Sequence, residues 1–233
     1  MYQDEKIIPL FPHFPINVSI IYTKIFWRMF LNIRQFKNSI YLLRQLNQRP
    51  RYFECSSPSI PTKNYIFFIS RLWQKEQIAN NIRYSFIKKC KNDSRFDFEG
   101  GFKLRSDRQY FDFQDVIVKK KISATKFSSL SAQSNIVLNN PAVLGAISWR
   151  LAEYMRSGLF IISTKFMVEL PIKLEHLKNI YSLNDENDIS LALDLIAKND
   201  DKVNTIKNGA LEYFLNYCTP EKQVDYILDK IYH

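Results

Sequence analysis

The sequence predicts an α/β fold, with a mainly parallel sheet and flanking helices over residues 62–215, preceded by a long helical N-terminal segment. Three observations carry this. Short apolar runs at 66–69, 96–98, 136–138, 160–162 and 180–183 are continuous rather than alternating, as in strands buried on both faces. Stretches of helical period separate them, which is how parallel strands are connected. Glycine and proline stand mostly at the junctions, where turns and helix ends need them.

The elements follow in order. Pro9, Pro12 and Pro15 favour an irregular extended start over residues 1–17. Over 19–46, Ile21, Ile25, Met29, Ile33, Phe36, Ile40 and Leu43 recur at three- and four-residue steps, giving an amphipathic helix. Its polar side is basic through Lys24, Arg28, Arg34, Lys37 and Arg44, so it either packs on a partner domain or lies on an anionic membrane surface. Arg49-Pro50 ends it, and 56–61 reads as a linker. The run at 65–69 is the first strand, and the loop from Ser70 to Glu76 opens a helix carrying Ile78, Ile82, Phe86 and Ile87 towards Cys90. A second strand at 95–98 leads into Glu99-Gly100-Gly101-Phe102, expected as a turn.

A helix within 119–133 turns Phe127 and Leu130 inwards before the strand at 135–138. The loop after it turns at Gly145. Ser148 caps a helix with Leu151, Ala152, Tyr154 and Met155 inside, Gly158 closes it at C′, and 159–163 is the next strand. Asp185 to Asp188 supply an acidic helix start, followed by Leu191, Leu195 and Ile196. Gly209 marks a break or a close contact, 211–217 is helical, and Thr219-Pro220 begins the last helix through Val224, Ile227, Leu228 and Ile231. The organisation is therefore 1–61, an irregular segment and amphipathic helix; 62–215, the α/β unit; and 216–233, a terminal helix.

Composition bounds the chemistry. A net charge of +10 and a pI near 9.4 suit an anionic partner: a nucleotide diphosphate, nucleic acid or anionic lipid. No nucleic-acid-binding motif appears, so nucleic acid is not expected. Cys55, Cys90 and Cys218, and His13, His176 and His233, are scattered without metal-ligand spacing; no metal and a reduced, cytoplasmic setting are expected. The N-terminus has neither the basic start nor the apolar core of a signal peptide. The five glycines form neither G-x-G-x-x-G nor G-x-x-x-x-G-K-[ST], which disfavours dinucleotide oxidoreductases and P-loop NTPases. A cation at a helix start, such as Arg71 or Lys75, adds to exposed backbone donors around a pyrophosphate.

The run Ser148-Trp149-Arg150-Leu151-Ala152-Glu153-Tyr154-Met155-Arg156-Ser157-Gly158, followed by Ile161-Ile162-Ser163-Thr164, resembles the donor-binding, C-terminal half of GT-B-fold, retaining-type glycosyltransferases of the bacterial surface-polysaccharide kind. Glu169-Leu170-Pro171, the segment 175–181 and Asp185 are similar to that family's next loop and strand. The resemblance implies a Rossmann-like nucleotide-sugar-binding domain with no cofactor beyond the donor substrate. It implies that Glu153 accepts hydrogen bonds from the donor ribose, that Arg71 and Lys75 contact the phosphates, and that the backbone of Gly145, Ala146 and Ile147 approaches the diphosphate or sugar. Glu169 either approaches the sugar or caps a turn; no catalytic residue is assigned. The family's other glutamate falls at Gly145, and Arg71 and Lys75 stand closer together than the family's pair.

The implied activity is transfer of a sugar from a nucleotide-sugar to a glycan or lipid-linked acceptor, on the cytoplasmic side and with peripheral contact at the inner face of the membrane. Residues 1–61 are too few for an acceptor domain, so the chain is expected either to be truncated or to rely on a separate acceptor-domain polypeptide. A non-catalytic nucleotide-sugar-binding or partner subunit, and a basic membrane-associated protein, stay open beside that reading.

Overall fold

A computed structural model describes residues 9–12, 61–73, 76–104, 112–120, 122–140, 145–148 and 150–232. The amphipathic segment 19–46, Lys75 and the arginines at 105 and 108 lie outside them. Five strands are present in the described residues: β1 (Tyr65–Arg71), β2 (Asp97–Lys103), β3 (Ile136–Asn139), β4 (Phe160–Ser163) and β5 (Tyr181–Ser182). All pairings are parallel, with Ile66 opposite Phe98, Val137 opposite Ile161 and Ile162 opposite Tyr181. Helices make the crossovers: α1 (Gln77–Asn92), α2 (Ala124–Gln133) and α3 (Arg150–Arg156); α4 (Asp188–Lys198), α5 (Asp200–Tyr213) and α6 (Pro220–Tyr232) complete the chain. Among the described residues no helix is long and apolar enough to cross a membrane.

The sheet is not one continuous ladder. β1 pairs with β2, and β3 with β4 and β5, as two sets. They are joined where the Asn135 amide donates to the Tyr65 carbonyl (2.8 Å) and the Phe67 amide donates to the Ser134 hydroxyl (2.9 Å). A serine side chain there occupies the place of a strand carbonyl, and regular pairing stops. The two sets nonetheless share a core. Ile66, Phe68, Ile136, Leu138, Phe160 and Ile162 face Phe86 and Ile87 of α1, Leu193 and Ile196 of α4 and Ile206 of α5. Val137 and Ile161, one residue out of phase, face Leu151 and Met155 of α3 and Ala210 and Tyr213 of α5. Apolar side chains on both faces are what the continuous runs require.

Two expectations are corrected. Gly100 and Gly101 lie inside β2, not in a turn. They are needed for closeness: a Cβ on Gly100 would stand 1.9 Å from the Phe68 carbonyl oxygen, and one on Gly101 would stand 2.2 Å from that of Val116. Both adopt extended conformations at positive φ, 155° and 147°, that only glycine enters freely. The helix expected at 211–217 starts instead at Asp200 and passes into a π-helical turn, Phe214–Cys218. Asn199 caps it by accepting from the Lys202 amide (2.9 Å). Gly209 lies within that helix as a close contact rather than a break, because the Lys178 carbonyl fills the place of its Cβ. Ile78 and Leu191, apolar positions of the helices read from the sequence, are exposed.

Other signals act as read. α3 ends in a Schellman motif: Gly158 at φ 61° donates to Met155, and Leu159 donates to Tyr154. Thr219 caps α6 through the Lys222 amide (3.3 Å). Gln223 of α6 donates to the carbonyls of Phe11 and Pro12 (3.2 and 3.1 Å), while the Phe11 ring stacks on Tyr217 at 5.4 Å. His176 is structural, accepting from the Ser182 amide (3.0 Å) and meeting the Tyr181 ring edge-on.

The glycines separate two causes of strain. Gly209→Ala must displace backbone and should lose about 2 to 3 kcal/mol of stability. Gly158→Ala meets nothing within 4 Å and bears only the left-handed backbone penalty, about 1 kcal/mol. Urea unfolding of the two variants should place them in that order.

Candidate functional site

Parallel strands deliver their carboxyl ends to one edge, where the polar residues following each apolar run collect. β1 ends in Ser70 and Arg71, β3 in Asn139 and Asn140, and β4 in Ser163 and Thr164. The Asn139 amide nitrogen donates to the Ser163 hydroxyl (2.9 Å), which donates to the Thr164 carbonyl (2.9 Å). Next to this edge is a cavity of about 360 Å³, lined by Phe68, Ser70, Arg71, Trp73, Arg83, Leu138, Asn139, Asn140, Ser148, Arg150 and Tyr154.

Its chemistry is cationic. Arg83, from α1, is 2% exposed. Its Nε donates to Asn140 Oδ1 at 2.6 Å, its Nη1 to the Arg71 carbonyl at 3.4 Å, and its guanidinium lies 3.8 Å from the Trp73 ring centre. Asn80, one turn earlier on α1 and equally buried, holds Trp73 from both sides, accepting from its amide and donating to its carbonyl. Arg150 opens α3 with its guanidinium over the Phe127 ring at 4.4 Å. Burial, reinforced by the charge of Arg150 and opposed by that of Glu76, pulls Arg83 down to about 10. Among the described residues no carboxylate pairs with Arg71, Arg83 or Arg150.

Four buried side-chain atoms have no hydrogen-bond partner among the described residues: Asn139 Oδ1, Asn140 Nδ2, Thr164 Oγ1 and Glu153 Oε1. Three are at or just past the ends of β3 and β4, and the fourth is on the first turn of α3. Orphaned polar atoms cost free energy unless a ligand or water meets them. Glu153 is the titratable member. Burial pushes its carboxyl up to about 7, against the opposing pull of Arg150.

The residues singled out in the sequence are distributed unevenly. Arg71 lines the cationic cavity. Glu153 is a neighbour of its Tyr154 wall but does not line it. Gly145, at φ 76°, is buried against Met167, Ala146 is exposed and Ile147 is half-buried. Glu169 is exposed on a separate, larger cavity of about 680 Å³ with Phe11, Tyr217 and Lys222. Lys75 lies outside the described residues.

Sequence reasoning missed Arg83, Arg150, Asn139 and Asn140. One signal was available. Arg83, Phe86, Ile87 and Cys90 form an i, i+3, i+4, i+7 stripe, so the arginine occupies a position where an apolar residue belongs.

No protein-family profile matches the sequence, and no curated protein matches it. Solved structures do match. A TarM point mutant from S. aureus, in complex with fondaparinux, α-GlcNAc-glycerol and UDP, superposes with a TM-score of 0.53 at 15% identity, over 75% of this chain and 36% of that one. TarM itself gives 0.51 at 16% identity, over 74% and 36%. The chain has the fold of the C-terminal half of a GT-B glycosyltransferase. The C-terminal domain of a group 1 glycosyl transferase, LpcC from Francisella tularensis, also matches (TM-score 0.48, 18% identity, 67% of this chain and 87% of that one). The matched region corresponds to about a third of the TarM chain.

The elevated Glu153 carboxyl makes a sign-determined prediction. The folded chain holds this proton more tightly than the unfolded chain, whose carboxyl titrates near 4.5. Its stabilising contribution is therefore complete below pH 4.5, falls as pH rises and is gone above about 7. Wild type should lose up to about 3 kcal/mol relative to Glu153→Gln between pH 4.5 and pH 8. Chemical denaturation of both proteins across that range measures the difference.

Proposed function

We propose that the chain is the donor-binding half of a nucleotide-sugar-dependent glycosyltransferase, acting on a glycan or lipid-linked acceptor. The observation that carries this reading is the cavity at the carboxyl edge of a GT-B-type sheet, where Arg71, Arg83 and Arg150 gather, no carboxylate lines the wall and no described carboxylate forms an ion pair with them. An anion completes such a site. The orphaned atoms narrow its nature. On the cavity wall, Asn140 Nδ2 donates and so suits an oxyanion, whereas Asn139 Oδ1 accepts and suits a hydroxyl. A ligand carrying both phosphate oxygens and sugar hydroxyls satisfies the set.

In that reading Arg71 and Arg150 bind the diphosphate, with Lys75 and the backbone of Gly145 to Ile147 beside them, and Glu153 accepts from the ribose diol. As the bond from sugar to diphosphate breaks, negative charge grows on the leaving oxygen, and guanidinium groups fixed in a partly dry cavity stabilise it without reorganising. Glu169, on the separate cavity, is the candidate for contact with the transferred sugar or the acceptor. UDP in the TarM mutant complex supports a nucleoside diphosphate as ligand class. The acceptor site is assigned to a second domain, joined through residues 1–61 or supplied by another polypeptide, and the basic 19–46 segment to the contact with it or with the inner membrane face. This chain alone should therefore bind donor yet transfer sugar slowly, because the acceptor hydroxyl is not held against the anomeric carbon.

Calorimetry with UDP, GDP, TDP and CMP and their sugars tests this. At least one should bind, and Arg71→Ala should weaken binding by about 1.5 to 3 kcal/mol, the range for a hydrogen bond to a charged group. Ribose hydroxyls bonded to Glu153 favour its ionised form, so binding near pH 6.5 should release a proton, read from the buffer dependence of the heat. A folded sample that binds none of these nucleotides would refute the assignment.

A further inference from the structure

Arg83 is an unusual cation. It is almost wholly buried, on the core stripe of α1, and among the described residues it forms no ion pair or hydrogen bond with a carboxylate, Glu76 acting on it only as a nearby charge. Burial of an unpaired charge is expensive, and an apolar side chain would fill the position more cheaply. What the guanidinium does there is specific. One edge holds the side chain of Asn140 in the loop after β3, another meets the carbonyl of Arg71 at the end of β1, and its face lies against Trp73. β1 and β3 are the two strands between which regular pairing stops, so this arginine ties together loops that the ladder does not. The bond to Asn140 has a further effect. With Oδ1 engaged by Arg83, the amide plane is set, and its Nδ2, buried and without a partner, is left as a donor at the cavity.

We propose that Arg83 is a positioning residue for the anionic part of the ligand, acting through Asn140, whose amide donor it fixes, and through the Arg71–Trp73 loop. This rests on the donor-site reading for the identity of the ligand, though not for its charge. Arg83 contributes a fork that only a planar guanidinium provides; a lysine retains the charge and loses the directed Nε–H.

The test is a double-mutant cycle read by calorimetry with inorganic pyrophosphate and, separately, with UDP and uridine, on the full chain. Arg83→Lys and Asn140→Ala should each weaken pyrophosphate and UDP by about tenfold or more. Uridine affinity should change by less than about twofold. The double variant should bind pyrophosphate no more than about twofold more weakly than Arg83→Lys alone, because the second change removes a donor already released. Trp73 emission should shift on pyrophosphate binding in wild type and not in Arg83→Lys, with Trp73→Phe identifying the signal. Multiplicative effects of the two substitutions, equal losses for uridine and pyrophosphate, or unchanged pyrophosphate binding by folded Arg83→Lys would overturn the proposal. If wild type binds pyrophosphate and none of the nucleotides, the donor reading fails while the cycle still decides the role of Arg83; if it binds neither, both fail.

Discussion

Parallel pairing is the constraint on which the rest of this structure depends. A strand that runs beside its predecessor in the same direction must first be carried back by a crossover, and that crossover covers a sheet face. Both faces are therefore closed to polar chemistry, and Val137 and Ile161 turn one way while Ile136, Leu138 and Ile162 turn the other. Polar groups are admitted where strands end. The residues following the apolar runs, Arg71, Asn139, Asn140 and Thr164, reach one edge for that reason rather than through any separate device.

The two edges of the sheet treat charge differently. At the amino edge, Lys63 pairs with Asp200 at 3.3 Å, Arg95 with Asp93 and Asp194 at 2.6 and 2.7 Å, and Lys207 donates to Asn135 at 2.6 Å. At the carboxyl edge Arg71, Arg83 and Arg150 share a cavity without a carboxylate among the described residues. Arg83 in particular bears the desolvation penalty of a buried cation, and Asn140 leaves a donor unmet. Local rules satisfied at one end of a sheet and broken at the other indicate where a ligand belongs.

Most of the architecture is legible in the sequence because its signals are local. Continuous apolar runs mark β1, β3 and β4; Gly158 and Thr219 mark a helix end and a helix start. What escaped depends on neighbours distant in sequence. Gly100-Gly101 has the composition of a turn, and only the carbonyls of Phe68 and Val116 show that it is a strand squeezed between two segments. Gly209 is likewise explained by Lys178. The resemblance implied a site at the carboxyl ends of the strands with Arg71 in it, and Arg71 does line a cavity there, whereas Arg83 and Asn140, 57 residues apart, acquire meaning only when the fold joins them. Arg83 betrayed itself weakly, as a charge in an apolar stripe; Asn139 and Asn140 gave no such sign.

The anchoring of residues 9–12 has a bearing on how the chain is made. Phe11 and Pro12 are held by Gln223, which follows them by 212 and 211 positions, and the rings that enclose Phe11 are those of Tyr213, Tyr217 and Tyr226. On the ribosome these partners emerge only after every strand of the sheet has been synthesised. Residues 9–12 must therefore wait, unburied, while the two hundred residues that separate them from Tyr213 are made, and the loop they then close spans 212 positions. Their docking is a late step of assembly, and a nascent chain that stalls before Tyr213 has no seat for them.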